Sequence, residues 1–226
     1  MRLALLVLAL LLARPALGAD RMHGGQIFHY AEIEADVSSR HDRALWTWDG
    51  QGWLGTDMDK LWLKTEGEGL GGRLEQAEVQ LLYSRNLGGF FDLQGGVRLE
   101  AEPDSRGQLV LGVQGLAPYL LDSQAHLFLG ADGDLQLRLR QRVNLLFTNR
   151  LIVTPMLETD INLAGRDRGF AEIEAGVQAR YEISRKLAPY VALLLDRKLG
   201  ATARAARLAG DDVGGWSLRA GIRLWF

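Results

Sequence analysis

The stretch Trp216–Phe226 reads WSLRAGIRLWF, and its two faces differ. Trp216, Leu218, Ala220, Ile222, Leu224 and Phe226 fall on one side; Ser217, Arg219, Gly221, Arg223 and Trp225 fall on the other. Side chains of an extended chain point alternately to opposite faces, so this pattern predicts a strand with an apolar and a polar face. The same reading recurs upstream. In residues 171–182, AEIEAGVQARYE, Ala171, Ile173, Ala175, Val177, Ala179 and Tyr181 alternate with Glu172, Glu174, Gly176, Gln178, Arg180 and Glu182. In residues 135–144, Leu135, Leu137, Leu139 and Val143 oppose Gln136, Arg138, Arg140, Arg142 and Asn144. In residues 27–37, Ile27, Ala31, Ile33, Ala35 and Val37 oppose Tyr30, Glu32, Glu34 and Asp36.

These segments are longer than the usual five or six residues of a soluble strand. A membrane-spanning strand needs about 9–11 residues, apolar toward lipid and polar toward the lumen, and lipid tolerates no free sheet edge. The alternation therefore predicts an all-β, antiparallel up-and-down transmembrane barrel. Strands are expected at 26–37, 43–50, 59–67, 73–86, 89–101, 107–116, 121–130, 133–146, 149–163, 168–184, 187–199 and 214–226, twelve in all. An even number returns both termini to one side, expected to be the periplasm, with long connections outside and mostly tight ones inside; 131–132 and 51–58 break that rule. Trp46 and Trp48 share a face, and Tyr83, Tyr181 and Trp216 lie near strand ends on apolar faces, where an interfacial girdle would place them.

Composition agrees with an exported barrel. The 226 residues include 27 Gly and no Cys, which removes disulfides and thiolate chemistry. The net charge of −2 gives no basic excess for nucleic acid. Met1 to Ala19, MRLALLVLALLLARPALGA, combines Arg2, an eleven-residue apolar run from Leu3 to Ala13 and small residues near Gly18 and Ala19. It reads as a secretory signal peptide, too short to span a membrane as a helix. Residues 20–25 form a short periplasmic segment ahead of a barrel over 26–226.

Several segments together are similar to the copper resistance protein B family. They are Phe28-His29-Tyr30 with Glu32 and Glu34; Asp59 to Glu68, DKLWLKTEGE; Glu75 to Arg85, EQAEVQLLYSR; Asp92 to Arg98, DLQGGVR; Gly112 to Tyr119, GVQGLAPY; Arg180 to Ile183; Ala188 to Val191; Arg197-Lys198; and Gly210 to Val213. They are collinear over almost the whole of 26–226. Phe226, with apolar residues at every second position before it, resembles the assembly signal of Gram-negative outer-membrane barrels. The family resemblance implies an outer-membrane barrel that helps a bacterium withstand copper. Its implied partners are lipid and copper ions, with a periplasmic copper oxidase or carrier as a further candidate, and a monomer is expected. Two features depart from the family pattern. Members usually carry a Met- and His-rich extension before the barrel, of which only Met22-His23 remains, and a familiar Trp-Glu-Arg-Lys run reads Leu195-Asp196-Arg197-Lys198 here.

Copper takes imidazole, thioether and, as Cu(II), carboxylate. Met22 and His23 offer a contact ahead of the barrel. His126 shares the polar face with Gln124, and Met156 is in register with Glu158 and Asp160, so all of these are expected in the lumen. A methionine among carboxylates is out of place as a gap-filler, which marks it as a candidate copper contact in either oxidation state. His29 follows the apolar parity and points outward near the periplasmic rim; His41 lies in a connection. The lumen face carries both signs of charge, Glu32, Glu34, Asp36, Glu66, Glu78, Asp92, Glu172, Glu174 and Asp196 opposing Lys60, Lys64, Arg98, Arg138, Arg140, Arg142, Arg180, Lys198, Arg219 and Arg223. Such a face serves either a cation path or a lumen plugged by ion pairs. No zincin, Walker or nucleophile-elbow motif occurs, and no enzyme is expected. A copper-binding barrel and a plain small-solute pore or structural barrel are the two readings.

Overall fold

The computed structural model describes residues 26–40, 43–102, 105–165, 167–210 and 212–226. Twelve strands form one closed antiparallel sheet: β1 (Phe28–Arg40), β2 (Arg43–Gly55), β3 (Asp59–Leu70), β4 (Arg73–Gly88), β5 (Phe91–Glu102), β6 (Arg106–Ala117), β7 (Leu121–Gly130), β8 (Leu135–Val143, continued by Leu145–Leu146), β9 (Leu151–Ala164), β10 (Gly169–Tyr181), β11 (Leu187–Lys198) and β12 (Gly214–Trp225). Each strand pairs with its sequence neighbours, and β12 pairs with β1 from Trp225↔Glu32 to Ala220↔Val37. The Ala31 and Phe226 backbones exchange hydrogen bonds of 3.1 and 2.8 Å, so the ring closes beside the C-terminus. No strand edge is left unpaired, which is the condition for crossing lipid as a sheet.

Burial is inverted relative to a water-soluble protein. Arg98, Gln94 and Glu78 are among the largest fully buried side chains, whereas Leu81, Leu99, Leu109 and Leu218, at alternate outward positions, are exposed. Large contiguous apolar surface of this kind needs a nonaqueous partner, and a ring of outward Leu and Val around the barrel suits the bilayer. No helix among the described residues is long and apolar enough to cross a membrane.

The expected strand number holds, and several strands extend beyond the expected bounds. β1 reaches Arg40 and β3 reaches Leu70, so strand takes up residues 38–40 and 68–70 of the connections expected at 38–42 and 68–72. β2 runs on to Gly55, because Gln51 and Trp53 keep the alternation through a glycine-rich sequence; the connection expected at 51–58 is only 56–58. The long connection is 199–213, and it holds a helix, α1 (Gly200–Ala209), that strand periodicity did not foretell. The end carrying the 28 and 226 positions is termed the terminal end, and the end carrying α1 the far end.

The outer face of β2 and β3 is closely fitted. Trp46 and Trp48 stack with ring centroids 5.4 Å apart and lie over Gly69 and Gly67. A Cβ at either glycine would enter the ring above it, so those positions require glycine for close approach rather than for backbone freedom.

Candidate functional site

Alternation along β8 turns Arg138, Arg140 and Arg142 inward as a ladder. In a twelve-membered ring β8 stands opposite β2, six strands away in either direction. The arginines nevertheless meet carboxylates on both sides. Along the adjacent wall, Arg140 Nε lies 2.5 Å from Glu158 and Arg138 Nε lies 3.1 Å from Asp160. Across the hollow, Arg138 Nη1 lies 2.5 Å from Glu66, Arg140 Nη2 lies 2.9 Å from Glu66, and Arg140 and Arg142 each lie 3.4 Å from Asp49. The guanidinium, planar and permanently charged, can hold several carboxylates at once. These contacts are struts across the lumen, and they divide it.

On one side of the struts, under β3 to β7, the lumen is filled. Trp62, Leu82, Val110 and Phe128 form a buried apolar cluster with Trp53 against it. Arg98 lies over the Phe128 ring, its guanidinium carbon 4.4 Å from the centroid, and is ion-paired with Glu78 and, at 2.8 Å, with Glu100. Lys64 donates to Gln114 at 2.7 Å and to Gln124 at 3.2 Å. A void of about 30 Å³ lies here, room for about one water.

On the other side, along β8 to β12 and β1 to β3, with Glu75 and Gln76 of β4 at its margin, lies a cavity of about 550 Å³. Eleven carboxylates and six cationic side chains line it, an excess of five negative charges. Some carboxylates stand in rows on neighbouring strands: Glu158 is the register partner of Glu174, and Glu174 of Asp196, while Asp160 faces Glu172. Like charges directly opposite on a sheet disfavour the pairing. Arg219, 3.7 Å from Glu174, and Arg40, 3.8 Å from Asp196, offset part of this. Tyr190 donates to Asp36 at 2.8 Å, and no cation pairs with Asp36 among the described residues.

The residues singled out from sequence fall in four places. Met156, Glu158 and Asp160 share one wall of the large cavity at successive inward positions of β9. Met156 packs against the Tyr190, Ala192 and Leu194 cluster, and Glu158 and Asp160 are held by the β8 arginines. His126 is buried in the filled half, its Nε2 2.8 Å from Gln94 Oε1, and does not line that cavity. His29 is exposed on the outer face of β1 at the terminal end. Met22, His23 and His41, with the signal peptide and residues 20–25, lie outside the described residues. Among the described residues no group of three or more His, Cys, Asp or Glu side chains is placed to hold a metal ion; that criterion leaves a thioether such as Met156 uncounted. Sequence reasoning did not single out Asp49, the far anchor of two struts, although the strand expected at 43–50 contains it. Extending the alternation Leu45, Thr47, Asp49, Gln51, Trp53 would have turned it inward.

A family model described as copper resistance protein B precursor (CopB) matches residues 27–226. The chain belongs to the copper resistance protein B family. This member is 38% identical over 186 residues to Copper resistance protein B of Escherichia coli, a match covering 80% of this chain and 63% of that protein. It is 34% identical over 232 residues to a Copper resistance protein B homolog of Pseudomonas syringae pv. tomato, covering 94% of this chain and 78% of the relative. It thus spans under two thirds of the length of the first relative. Among solved structures the barrel is similar to the NanC porin, with a TM-score of 0.59, 11% identity and coverage of 86% of this chain and 98% of that one. It is also similar to the KdgM porin in complex with disordered oligogalacturonate, with a TM-score of 0.52, 12% identity and coverage of 86% and 99%. At such identities the likeness speaks for the porin-type outer-membrane barrel fold alone.

Proposed function

We propose that this copper resistance protein B family member is a non-enzymatic outer-membrane barrel that takes copper ions into the acidic half of its lumen and serves copper tolerance there. The observation that carries the reading is Met156, a thioether on the wall of a cavity with five more carboxylates than cations. That donor set suits copper in both oxidation states, the soft sulfur for Cu(I) and carboxylate oxygen for Cu(II). Glu158 and Asp160 are the oxygen donors nearest in sequence on the same wall. Their arginine partners must yield for a metal to reach them, so binding is expected to be modest and to displace an ion pair.

The reading sets both termini in the periplasm after removal of residues 1–19. Met22 and His23, which precede the barrel in sequence, would then offer a first copper contact on the periplasmic side. His126, held by Gln94, would join only if that hydrogen bond opened. A periplasmic copper carrier or oxidase is the expected exchange partner at that mouth. The second reading, a structural barrel or small-solute pore without metal function, is supported by the struts, which obstruct the hollow without any metal.

Titration of the refolded full chain with Cu(I) and Cu(II) separates the two. The copper reading expects saturable binding that weakens in Met156→Ala and falls further when His23→Ala is added. Equal and weak binding by the parent and the double variant would leave the structural barrel as the answer.

A further inference from the structure

Helix α1 carries Arg204 and Arg207 and no acidic residue, and both arginines are exposed. Its opposite side, Ala203 and Ala206, is buried, and the helix packs on β10. The backbone pins it there: Leu199 N donates to Ala171 O at 2.8 Å, and Lys198 N to Val213 O at 2.8 Å. No α1 residue lines the large lumen cavity, so the helix is not part of the copper-handling wall. Arg197, at the end of β11, and Arg168, immediately before β10, flank it and are exposed. None of these four arginines has an ion-pair or hydrogen-bond partner among the described residues.

Exposed apolar side chains accompany these cations, alongside the exposed Asp167 and Asp212. Leu208, one residue after Arg207, is 90% exposed; Phe170, beside Arg168, and Trp216, at the start of β12, are also exposed on the outer face. The group thus sits where the lipid-facing band of β10 to β12 reaches the far rim. Exposed Leu, Phe and Trp gain from an apolar phase and unpaired guanidinium groups from an anionic one, so a surface that joins them suits an environment that offers both. A bilayer interface does, because alkyl and ring surface enters the acyl region while cations stay at the headgroup level.

We propose that Arg204 and Arg207 of α1, flanked by Arg168 and Arg197, bind the phosphate-bearing headgroups of anionic lipids in the leaflet that meets the far rim. Guanidinium groups pair with phosphate oxygens through paired N–H donors, and a net-anionic headgroup is favoured over a zwitterionic choline one, whose own cation offsets the phosphate charge. The proposal stands apart from the copper reading and needs only the barrel and its lipid band.

The absence of native cysteine makes the test direct. A fluorophore on Leu208→Cys is reconstituted in vesicles doped with headgroup-labelled quencher lipid, either phosphatidylglycerol or phosphatidylcholine. The parent should favour the anionic quencher by roughly fivefold for each guanidinium engaged at low ionic strength. Arg204→Gln with Arg207→Gln should bring the preference close to unity while the barrel remains folded by its heat-modifiable migration in gels. Equal quenching by both lipids in the parent, or a preference that survives the double substitution, overturns the assignment. Millimolar inorganic phosphate should leave the preference in place; if it abolishes the preference, the arginines are a site for free phosphate and the lipid assignment fails.

Discussion

Replacing Arg138 by glutamine removes the centre of the strut system. Its side chain is only 9% exposed and lies within ion-pair distance of four carboxylates, Glu66 at 2.5 Å, Asp160 at 3.1 Å, Glu158 at 3.3 Å and Glu78 at 3.4 Å. Glutamine is shorter and uncharged, so it satisfies at most one or two of them. Removing one partner of a buried pair costs about 3–5 kcal/mol, mostly through the charge left behind. With a urea dependence of about 1–3 kcal/mol per molar, the unfolding midpoint in vesicles should fall by about 1–5 M, read by tryptophan fluorescence. Arg85→Gln is the internal control: Arg85 pairs with Asp59 at 3.6 Å where both are well exposed, and its loss should cost under about 1 kcal/mol. Adding Glu66→Gln to Arg138→Gln should recover part of the loss, since the carboxylate that the arginine served is gone. Planar-bilayer conductance of Arg138→Gln should rise above that of the parent. The strut argument fails if Arg138→Gln and Arg85→Gln unfold at the same urea concentration and conduct alike.

Asp49→Asn should loosen the contact with Arg140 and Arg142 and raise conductance, though less than Arg138→Gln, because Glu66 still holds Arg140; an unchanged current would show that β2 does not take part in the obstruction. Glu174→Gln should lower the cation preference of any current, measured as reversal potential under a salt gradient, since it removes one of the carboxylates in excess on the cavity wall; no change would place the current elsewhere. Gly67→Leu should displace Trp48 and destabilise the barrel by about 1–3 kcal/mol of overpacking, against little effect of leucine at Gly215, where a Cβ meets open space; equal unfolding midpoints would refute the fitted Trp–Gly stack. His126→Leu should lower stability by about 1–3 kcal/mol, because Gln94 Oε1 loses its donor, while copper affinity stays at the parent value if the Met156 wall is the site; a parallel loss of copper binding would move the site into the filled half.

The barrel was legible because its physics is written at period two. Arg138, Arg140 and Arg142 on β8, or Leu218, Ala220 and Ile222 on β12, can be assigned to a face without knowing any partner. Strand ends were harder, since Gly50 and Gly52 leave the outer face of β2 unmarked until Leu54. Helix α1 was hidden for a related reason: Ala201, Ala203, Ala205 and Ala206 carry helix propensity but little hydrophobic contrast. The inward direction of Met156, Glu158 and Asp160 followed from parity, whereas their partners did not. Which arginine spans the hollow to Glu66 depends on ring closure and on the reach of long side chains, neither of which a single strand records. The apolar plug of Trp62, Leu82, Val110 and Phe128 sits on faces that are otherwise polar, and alternation along single strands does not bring those four positions together.

The ladder on β8 makes the barrel lopsided, and that has a bearing on how such a molecule changes over time. One flank is solid, and substitutions there trade volume against volume with stability as the only judge. The opposite flank borders the large cavity, and charges there that lie outside the struts, such as Glu172, can be exchanged singly without rebuilding the scaffold. A descendant could therefore acquire a different cargo by altering β9, β10 and β11 alone, while the bulwark of β3 to β7 kept the cylinder from collapsing.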